Sequence, residues 1–139
     1  MSVMTVRYLG ATQFEAQIRG QKVVSDQPVE KGGFDEGMTP VELLLASLGT
    51  CAGYYAVEYL KANQLDTAAL EISVSADKVR EPSRLGRFQL GIYVPLKLDA
   101  AHVDGLRHSV DKCLIKNTLL NAPVIETHVT AGERDPVIE

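Results

Sequence analysis

The sequence is short of several features that would assign a protein to a common functional class. Its 139 residues include two cysteines, no tryptophan and no low-complexity stretch. The net charge is −4, and Lys and Arg form no long run. Because nucleic-acid-binding domains normally carry a basic stripe, we expect no nucleic-acid partner.

Long apolar runs are also missing. The most apolar stretch, Leu43–Leu60, is interrupted by Ser, Gly, Thr and Glu and falls short of the roughly 20 apolar residues that a membrane span needs. The first residues, MSVMTVRYLG, lack the basic start, apolar stretch and cleavage site of a signal peptide. We therefore expect no membrane partner and a cytoplasmic location, where cysteines are more often free, catalytic or redox-active than structural.

What the sequence does contain is enough apolar material for one core. Hydrophobic residues make up 45% of the chain and charged residues 23%, which is ordinary for a globular protein. The length suits a single domain spanning residues 1–139. In the first third, residues 14–18 alternate apolar and polar side chains, and Gly20-Gln21 indicates a tight turn into the next strand. Residues 26–38 are rich in glycine and charge and predict a loop.

The clearest local signal is a helix start at Thr39-Pro40-Val41-Glu42. Thr39 can accept a backbone N–H as the N-cap, Pro40 suits the first helical position, and Glu42 can return a hydrogen bond to the cap. The helix is predicted to run to about Asn63. Because apolar residues cover nearly its whole circumference, we expect it to be buried on most sides.

The second half predicts a β-hairpin, a second helix and a final strand. Residues 70–77 and 88–98 alternate apolar and polar side chains on either side of a charged loop. Asp99 is expected to cap a helix whose apolar positions extend to Cys113, residues 124–129 favour a last strand, and a polar tail is expected after it. Since helices and strands do not alternate regularly, the predicted fold class is α+β.

The two cysteines allow two interpretations. Cys51 lies within the apolar helix, and its separation from Cys113 excludes a CxxC motif or a zinc knuckle. A thiolate at Cys51 would need a nearby cation, because burial by itself raises the pKa of a thiol. The pattern equally allows a small packed core residue, which is the commoner role of a lone helical cysteine.

The remaining chemical residues form no recognised motif. The histidines His102, His108 and His128 are scattered, so we expect no metal site. There is no phosphate-binding glycine motif and no Gly-x-Ser-x-Gly elbow, which leaves nucleotide binding and serine hydrolysis without support. Three arginines flank the hairpin loop and could touch an anionic substrate, although a solvated loop is the preferred interpretation: Arg80, Arg84 and Arg87.

The segment Thr39–Leu60, TPVELLLASLGTCAGYYAVEYL, resembles the signature helix of the OsmC/Ohr family, the osmotically inducible protein C and organic hydroperoxide resistance proteins. Members begin this helix with Asn, Thr or Ser before Pro, continue with Glu-Leu and small or apolar residues, and carry a cysteine in it. Residues 110–113, Val-Asp-Lys-Cys, are similar to the family's second-cysteine segment. The order of elements also agrees, so the resemblance covers nearly the whole chain.

The resemblance implies an intertwined homodimer and a thiol-dependent peroxidase that reduces organic hydroperoxides in oxidative-stress defence. Cys51 would attack the peroxide and become a sulfenic acid, and Cys113 would condense with it to a disulfide. An external reductant, either a small dithiol or a lipoylated or thioredoxin-like protein, would restore the thiols, so no cofactor is expected. The apolar lining of the site would favour organic peroxides. Its candidates are Phe34, Tyr54 and Tyr55, for which plain core packing is the alternative and commoner role.

Three positions depart from the family's pattern. Many members carry two acids after the proline, where this chain has Val41 and then Glu42. The activating arginine is assigned to Arg19, whose turn resembles the hairpin arginine of the organic-peroxide branch, with Glu42 orienting it. Residues 33–36 offer no arginine for the other branch's position, and Leu114 stands where the family often has proline.

These departures keep an alternative open. The chain would then be a non-enzymatic dimeric binding module for a small apolar ligand, with Cys51 merely packed. The two sulfur atoms discriminate between the hypotheses. Sulfurs within bonding reach, with an arginine beside Cys51, favour the enzyme, whereas sulfurs far apart in dry aliphatic surroundings favour the binding module.

Overall fold

The computed structural model describes residues 1–133, which fall into two compact units. One unit comprises Met1–Leu43 and the segment that starts at Val124, and the other comprises Leu44–Pro123. The single domain expected over residues 1–139 stays a prediction. The strands and helices of the described chain are, in order, β1 (Thr5–Gly10), β2 (Gln13–Ile18), β3 (Gln21–Ser25), α1 (Pro40–Ala62), β4 (Glu71–Val79), β5 (Arg84–Tyr93), α2 (Ala100–Val110) and α3 (Leu114–Leu120).

The first unit contains an antiparallel sheet in the order β1-β2-β3. The predicted turn between β2 and β3 is confirmed, with Ile18 paired to Gln21. Arg19 and Gly20 at the centre of the turn have φ angles of 51° and 79°. Two positive φ values in a two-residue connection match the right-handed twist of the flanking strands, which is why such turns close hairpins.

The loop that follows β3 is organised around one buried carboxylate, that of Asp26, which is 1% exposed. Its oxygens accept hydrogen bonds from two side chains of the β1–β2 region and three backbone N–H groups of the loop: Thr12 (2.6 Å), Gln13 (3.0 Å), Gln27 (2.7 Å), Phe34 (3.1 Å) and Glu36 (3.2 Å). The hydrogen bond from Thr12 and the others hold the pKa of Asp26 well below its usual range, against the opposing effect of burial. The loop predicted over residues 26–38 is therefore present. The carboxylate of Asp26, which the sequence did not single out, holds the two ends of this loop together.

Helix α1 begins as predicted. The N–H of Glu42 donates to Oγ1 of Thr39, and the N–H of Thr39 donates to Oε1 of Glu42, each at 3.2 Å. This reciprocal pair is a capping box. We expected α1 to be buried on most sides, which the structure does not show. The buried residues of α1 form one stripe, and Tyr54 is 62% exposed. The stripe contains Leu48, Ala52, Ala56 and Leu60.

The core of the second unit forms where this stripe meets α2 and the β4–β5 sheet. Leu106 and Val110 of α2 are buried against α1. The sheet contributes a row of partly buried apolar residues from its inner face, which includes Ile72, Leu90 and Ile92. A sheet of only two strands covers one side of α1, which explains why the other side of the helix stays open.

The hairpin and α2 agree with the sequence in type but not in length. The predicted strand at residues 88–98 begins at Arg84 and ends at Tyr93, just before Val94-Pro95. Proline has no N–H for a strand ladder, so a strand end before it is expected physically. Asp99 caps α2 as predicted, with its Oδ1 accepting the N–H of His102 at 2.8 Å.

The chain after α2 differs from the prediction at two places. The second helix was expected to extend to Cys113, but α2 ends at Val110 and a separate helix, α3, follows Cys113. The final strand expected at residues 124–129 is not formed, and these residues are exposed. A strand exists only through pairing, and nothing within residues 1–133 pairs with this segment. The polar tail predicted at the C-terminus lies partly outside the described residues. No helix within residues 1–133 is both long and apolar enough to cross a membrane.

Candidate active site

The two cysteines, far apart in sequence, are brought close enough for each to shift the pKa of the other. Cys51 lies on α1 beside the buried stripe and is partly buried, whereas Cys113 is completely buried. Both are free thiols. The Cys113 thiol, as a hydrogen-bond donor, lowers the pKa of Cys51. The closeness of the two cysteines agrees with one of the two features that favour the enzyme, whereas no arginine of residues 1–133 is among the groups that shift the pKa of Cys51.

The turn between α2 and α3 places Cys113 at this position. Ser109, near the end of α2, is buried, and its hydroxyl donates to the carbonyl oxygen of Tyr55 on α1 at 2.9 Å. Cys113 then donates its N–H to the carbonyl oxygen of Val110 at 3.0 Å, which closes the turn. Because Tyr55 lies one helical turn after Cys51, this contact fixes the end of α2 beside Cys51.

The sulfur atoms also cap the first turn of α3. Cys113 is the N-cap residue, and its Sγ accepts the N–H of Lys116 at 3.4 Å. The backbone N–H groups of Ile115 and Leu114 are near enough to Cys51 to lower the pKa of its thiol. The first N–H groups of a helix have no partner within it, so the Cys113 sulfur satisfies one of them and the Cys51 sulfur faces two more.

These contacts distinguish the two thiols electrostatically. Burial raises the pKa of Cys51, but the Cys113 thiol and the N–H groups of Ile115 and Leu114 outweigh burial and hold that pKa below its usual value. Burial and the neighbouring Cys51 both raise the pKa of Cys113. Hydrogen bonds to a charged acceptor are stronger than neutral ones, so the pair favours a thiolate at Cys51 and a protonated donor at Cys113.

The other two predicted site residues lie in the first unit. Arg19 is exposed at the β2–β3 turn. Glu42 is exposed and its carboxylate binds the N–H of Thr39, which is the capping role that the sequence predicts. Among the ion pairs of residues 1–133, none joins Arg19 to Glu42.

An apolar cavity of about 490 Å³ lies near the cysteine pair, although neither cysteine lines it. Leu48 lies one turn before Cys51 on α1, and Lys116 belongs to the turn that Cys113 caps, so the cavity shares both elements with the pair. Its walls are built from α1, β5 and α3: Leu48, Leu85, Gly86, Phe88, Leu90, Lys116, Leu119 and Leu120. None of the expected aromatic candidates lines this cavity; Phe34 and Tyr54 are exposed, and Tyr55 packs edge-on against Tyr54.

Lys116 is a residue of this site that the sequence analysis missed. Its ammonium group forms an ion pair with Asp111, and this hydrogen bond lowers the pKa of Asp111. The backbone N–H groups of α3 were missed as well, because no cap signal of the usual Ser, Thr, Asp or Asn type precedes that helix. The segment Val110-Asp111-Lys112-Cys113 was the only available pointer to this region.

The histidines do not meet. Nδ1 of His102 and the hydroxyl of Tyr59 share a hydrogen bond of 2.9 Å. Nδ1 of His108 lies 2.8 Å from the carbonyl oxygen of Asp104. Over residues 1–133, no group of three or more His, Cys, Asp or Glu side chains is placed to hold a metal ion.

Comparison with known proteins identifies the fold independently. The residue pattern of the family described as OsmC-like protein matches residues 33–128, and no curated protein matches the chain. Among solved structures, an osmotic stress induced and detoxification response protein from Psychrobacter arcticus is similar, with a TM-score of 0.76, 21% identity, and coverage of 85% of this chain and 88% of that one.

Two further structures show the same fold at lower identity. An OsmC like protein from Mycoplasma pneumoniae has a TM-score of 0.72 and 18% identity, and covers 88% of this chain and 89% of its own. An organic hydroperoxide resistance protein OsmC from Legionella pneumophila has a TM-score of 0.66 and 14% identity, and the match covers 87% of this chain and 90% of that one. Identities at this level establish the α+β fold and leave the chemistry to the residues of this chain.

Proposed function

Since this chain belongs to the OsmC-like protein family, we propose that it is a thiol-dependent peroxidase that reduces organic hydroperoxides. Cys51 is the nucleophile and Cys113 is the resolving thiol. The observation that carries this proposal is the closeness of Cys113 to Cys51 at the turn between α2 and α3, together with the opposite directions of their pKa shifts. A packed core cysteine would need neither a second thiol nor backbone donors on its sulfur.

The proposed cycle conserves atoms and electrons. The Cys51 thiolate attacks one peroxide oxygen, the O–O bond breaks, and the products are a sulfenic acid and an alcohol after one proton is taken up. The Cys113 thiol then attacks the sulfenic sulfur, which gives the disulfide and one water molecule. A dithiol reductant returns two electrons and two protons by thiol–disulfide exchange.

The neighbouring cavity supports a preference for organic peroxides. Six of its lining side chains are aliphatic or aromatic, and its volume of about 490 Å³ suits a small organic molecule. Burial of an apolar substituent contributes roughly 25 cal/mol for each Å² removed from water, which hydrogen peroxide cannot use.

Two further parts of the proposal rest on the family resemblance. Arg19 would supply a positive charge to the reacting thiolate, with Glu42 orienting it. The active form would be a homodimer, in which the open apolar side of α1 and the unpaired segment at residues 124–129 find partners. An exposed apolar groove of about 470 Å³ between α1 and β4 supports this expectation.

Stopped-flow oxidation of the reduced protein tests the proposal. We expect cumene hydroperoxide to consume two thiols per chain at a rate at least about 100-fold above that of a free thiol, because proximity and a stabilised thiolate both lower the barrier. Hydrogen peroxide should react more slowly, and Cys51→Ser should abolish the reaction. Oxidation no faster than that of free cysteine would reject the peroxidase and favour the binding module.

A further inference from the structure

Positive charge is concentrated at one place in a chain that is acidic as a whole. The protein carries 14 Lys and Arg residues against 18 Asp and Glu. Four of the cations lie within residues 78–87, a stretch with a single acid, Glu81. We call these four residues the basic hairpin end: Lys78, Arg80, Arg84 and Arg87. The rest of the chain is therefore more negative than the net charge of −4 suggests.

The structure gives these cations almost no internal role. All four are exposed, and within residues 1–133 none forms an ion pair with a carboxylate. Arg87 lies opposite Asp77 in the strand register without an ion pair, and Arg84 donates only to the carbonyl oxygen of Pro82 at 3.1 Å. Unneutralised like charges repel one another, so their clustering does not stabilise the hairpin.

The same stretch of hairpin adjoins the cysteine site. Leu85 and Gly86 lie between Arg84 and Arg87, and both line the apolar cavity next to the cysteine pair. The lining of that cavity also includes Lys116, whose N–H donates to the sulfur of Cys113. A protein bound to the basic hairpin end would thus sit beside a cavity that shares Lys116 and helix α1 with the cysteine pair.

We propose that the basic hairpin end is the docking surface for the reductant of the Cys51–Cys113 disulfide, a dithiol-bearing protein with an acidic surface around its thiols. This inference rests on the proposed function and adds the place and charge of the partner's contact. An acidic partner is repelled by most of this chain and attracted here, so the charge pattern orients it. Opposite surface charges raise association rates by about 10- to 1,000-fold at low salt, and salt removes the effect.

The electron transfer at this surface is a thiol–disulfide exchange. One thiolate of the partner attacks a sulfur of the Cys51–Cys113 disulfide, forming a mixed disulfide and releasing the other cysteine as a thiolate that takes up a proton. The partner's second thiol then displaces the remaining cysteine. The partner leaves as a disulfide, having transferred two electrons.

The test compares two reductants of the same chemistry. The disulfide is first formed with diamide, so that the result does not depend on peroxidase activity. Its reduction is then followed by stopped flow with the dihydrolipoyl form of an acidic lipoylated domain, and with free dihydrolipoamide, which presents no protein surface. The variant is Arg80→Gln/Arg87→Gln, and the matched control removes two exposed cations elsewhere, Lys61→Gln/Lys97→Gln.

We expect the hairpin variant to lower the second-order rate with the lipoylated domain about tenfold at low ionic strength and to flatten its salt dependence. The control variant should stay within about twofold of the wild type, and both variants should react normally with dihydrolipoamide. Equal rates and salt slopes for the two variants would overturn the docking surface, as would the absence of a disulfide after diamide treatment.

The failure of the proposed function gives a different result. A protein that forms the disulfide with diamide but not with cumene hydroperoxide, and still shows the hairpin-dependent reduction, retains the docking surface without the peroxidase. If the hairpin variant instead loses binding to vesicles of anionic lipid while its reduction rates are unchanged, the surface serves a membrane and the inference is wrong.

Discussion

Cys51 and Cys113 shift each other's pKa in opposite directions, and backbone N–H groups in the first turn of α3 face both sulfurs. This relationship gives two chemically identical side chains different protonation preferences. It also couples the local structure of α3 to the redox state of the pair. Both consequences are accessible to experiment.

Removal of the Cys113 donor should make Cys51 less reactive. Because the Cys113 thiol helps to hold the pKa of Cys51 below its usual value, Cys113→Ala should raise that pKa and slow alkylation at pH 7 several-fold. Cys113→Ser keeps an O–H donor and serves as the matched control, with a smaller change. The measurement is the pH profile of Cys51 alkylation by iodoacetamide, followed by mass spectrometry. Identical profiles for the wild type and Cys113→Ala would show that the hydrogen bond has no influence.

Oxidation should loosen the start of α3. In the reduced protein the sulfur of Cys113 accepts the N–H of Lys116, and the N–H groups of Leu114 and Ile115 lower the pKa of Cys51. A disulfide sulfur carries no charge and is a weaker acceptor than a thiolate, so these amides should exchange with solvent faster after oxidation. Hydrogen–deuterium exchange of the two forms measures this, with the amides of Leu106 and Val110 in α2 as the internal reference. Equal protection of residues 114–116 in both forms would contradict the capping role.

Asp26 should make the first unit sensitive to acid. The folded pKa of Asp26 is depressed by its hydrogen bonds, so its contribution to stability is complete above the unfolded pKa of about 3.9 and is lost as the pH falls further. Asp26→Asn places an amide N–H₂ among hydrogen-bond donors and should lower the urea midpoint of unfolding at pH 7. The difference in urea midpoint between the wild type and Asp26→Asn should narrow below about pH 4. A gap of constant size from pH 7 to pH 2 would mean that the charge of Asp26 is not responsible.

Gly105 should be required for the packing of α2 against α1. A Cβ at Gly105 would overlap the ring and hydroxyl of Tyr59, whose hydroxyl is hydrogen-bonded to His102. Gly→Ala inside a helix normally stabilises by about 1 kcal/mol. Here we expect a loss of about 1–3 kcal/mol in the free energy of unfolding by urea, because the ring must move. In a Tyr59→Ala background the same change should become neutral or stabilising; an unchanged penalty there would exclude the overlap as its cause.

The features predicted correctly from the sequence are those whose partners are close in the chain. Thr39 and Glu42 form their capping box within one turn, and Asp99 caps α2 through the N–H of His102. Such contacts leave a signature at fixed spacing. The turn at Arg19 and Gly20 is local for the same reason.

The features that were missed depend on contacts between distant segments. The donors to Asp26 come from the β1–β2 region and from both ends of a loop, so no local spacing reveals them. The closeness of Cys51 and Cys113 was implied only by the family resemblance and not by any local spacing, because it depends on Ser109 reaching the carbonyl of Tyr55. Helix α3 has only seven residues and a cysteine cap, which propensity does not favour.

Mass spectrometry of a single turnover tests the central claim, that Cys51 reacts with the peroxide and Cys113 resolves it. One equivalent of cumene hydroperoxide is added to the reduced wild type and to Cys113→Ser in the presence of dimedone, which traps sulfenic acids. We expect a Cys51–Cys113 disulfide in the wild type and a dimedone adduct on Cys51 in Cys113→Ser. A dimedone adduct on Cys113 of the Cys51→Ser variant that forms as fast as the wild-type disulfide would contradict the assignment. The absence of any modification of Cys51 in the wild type and in Cys113→Ser would contradict it as well.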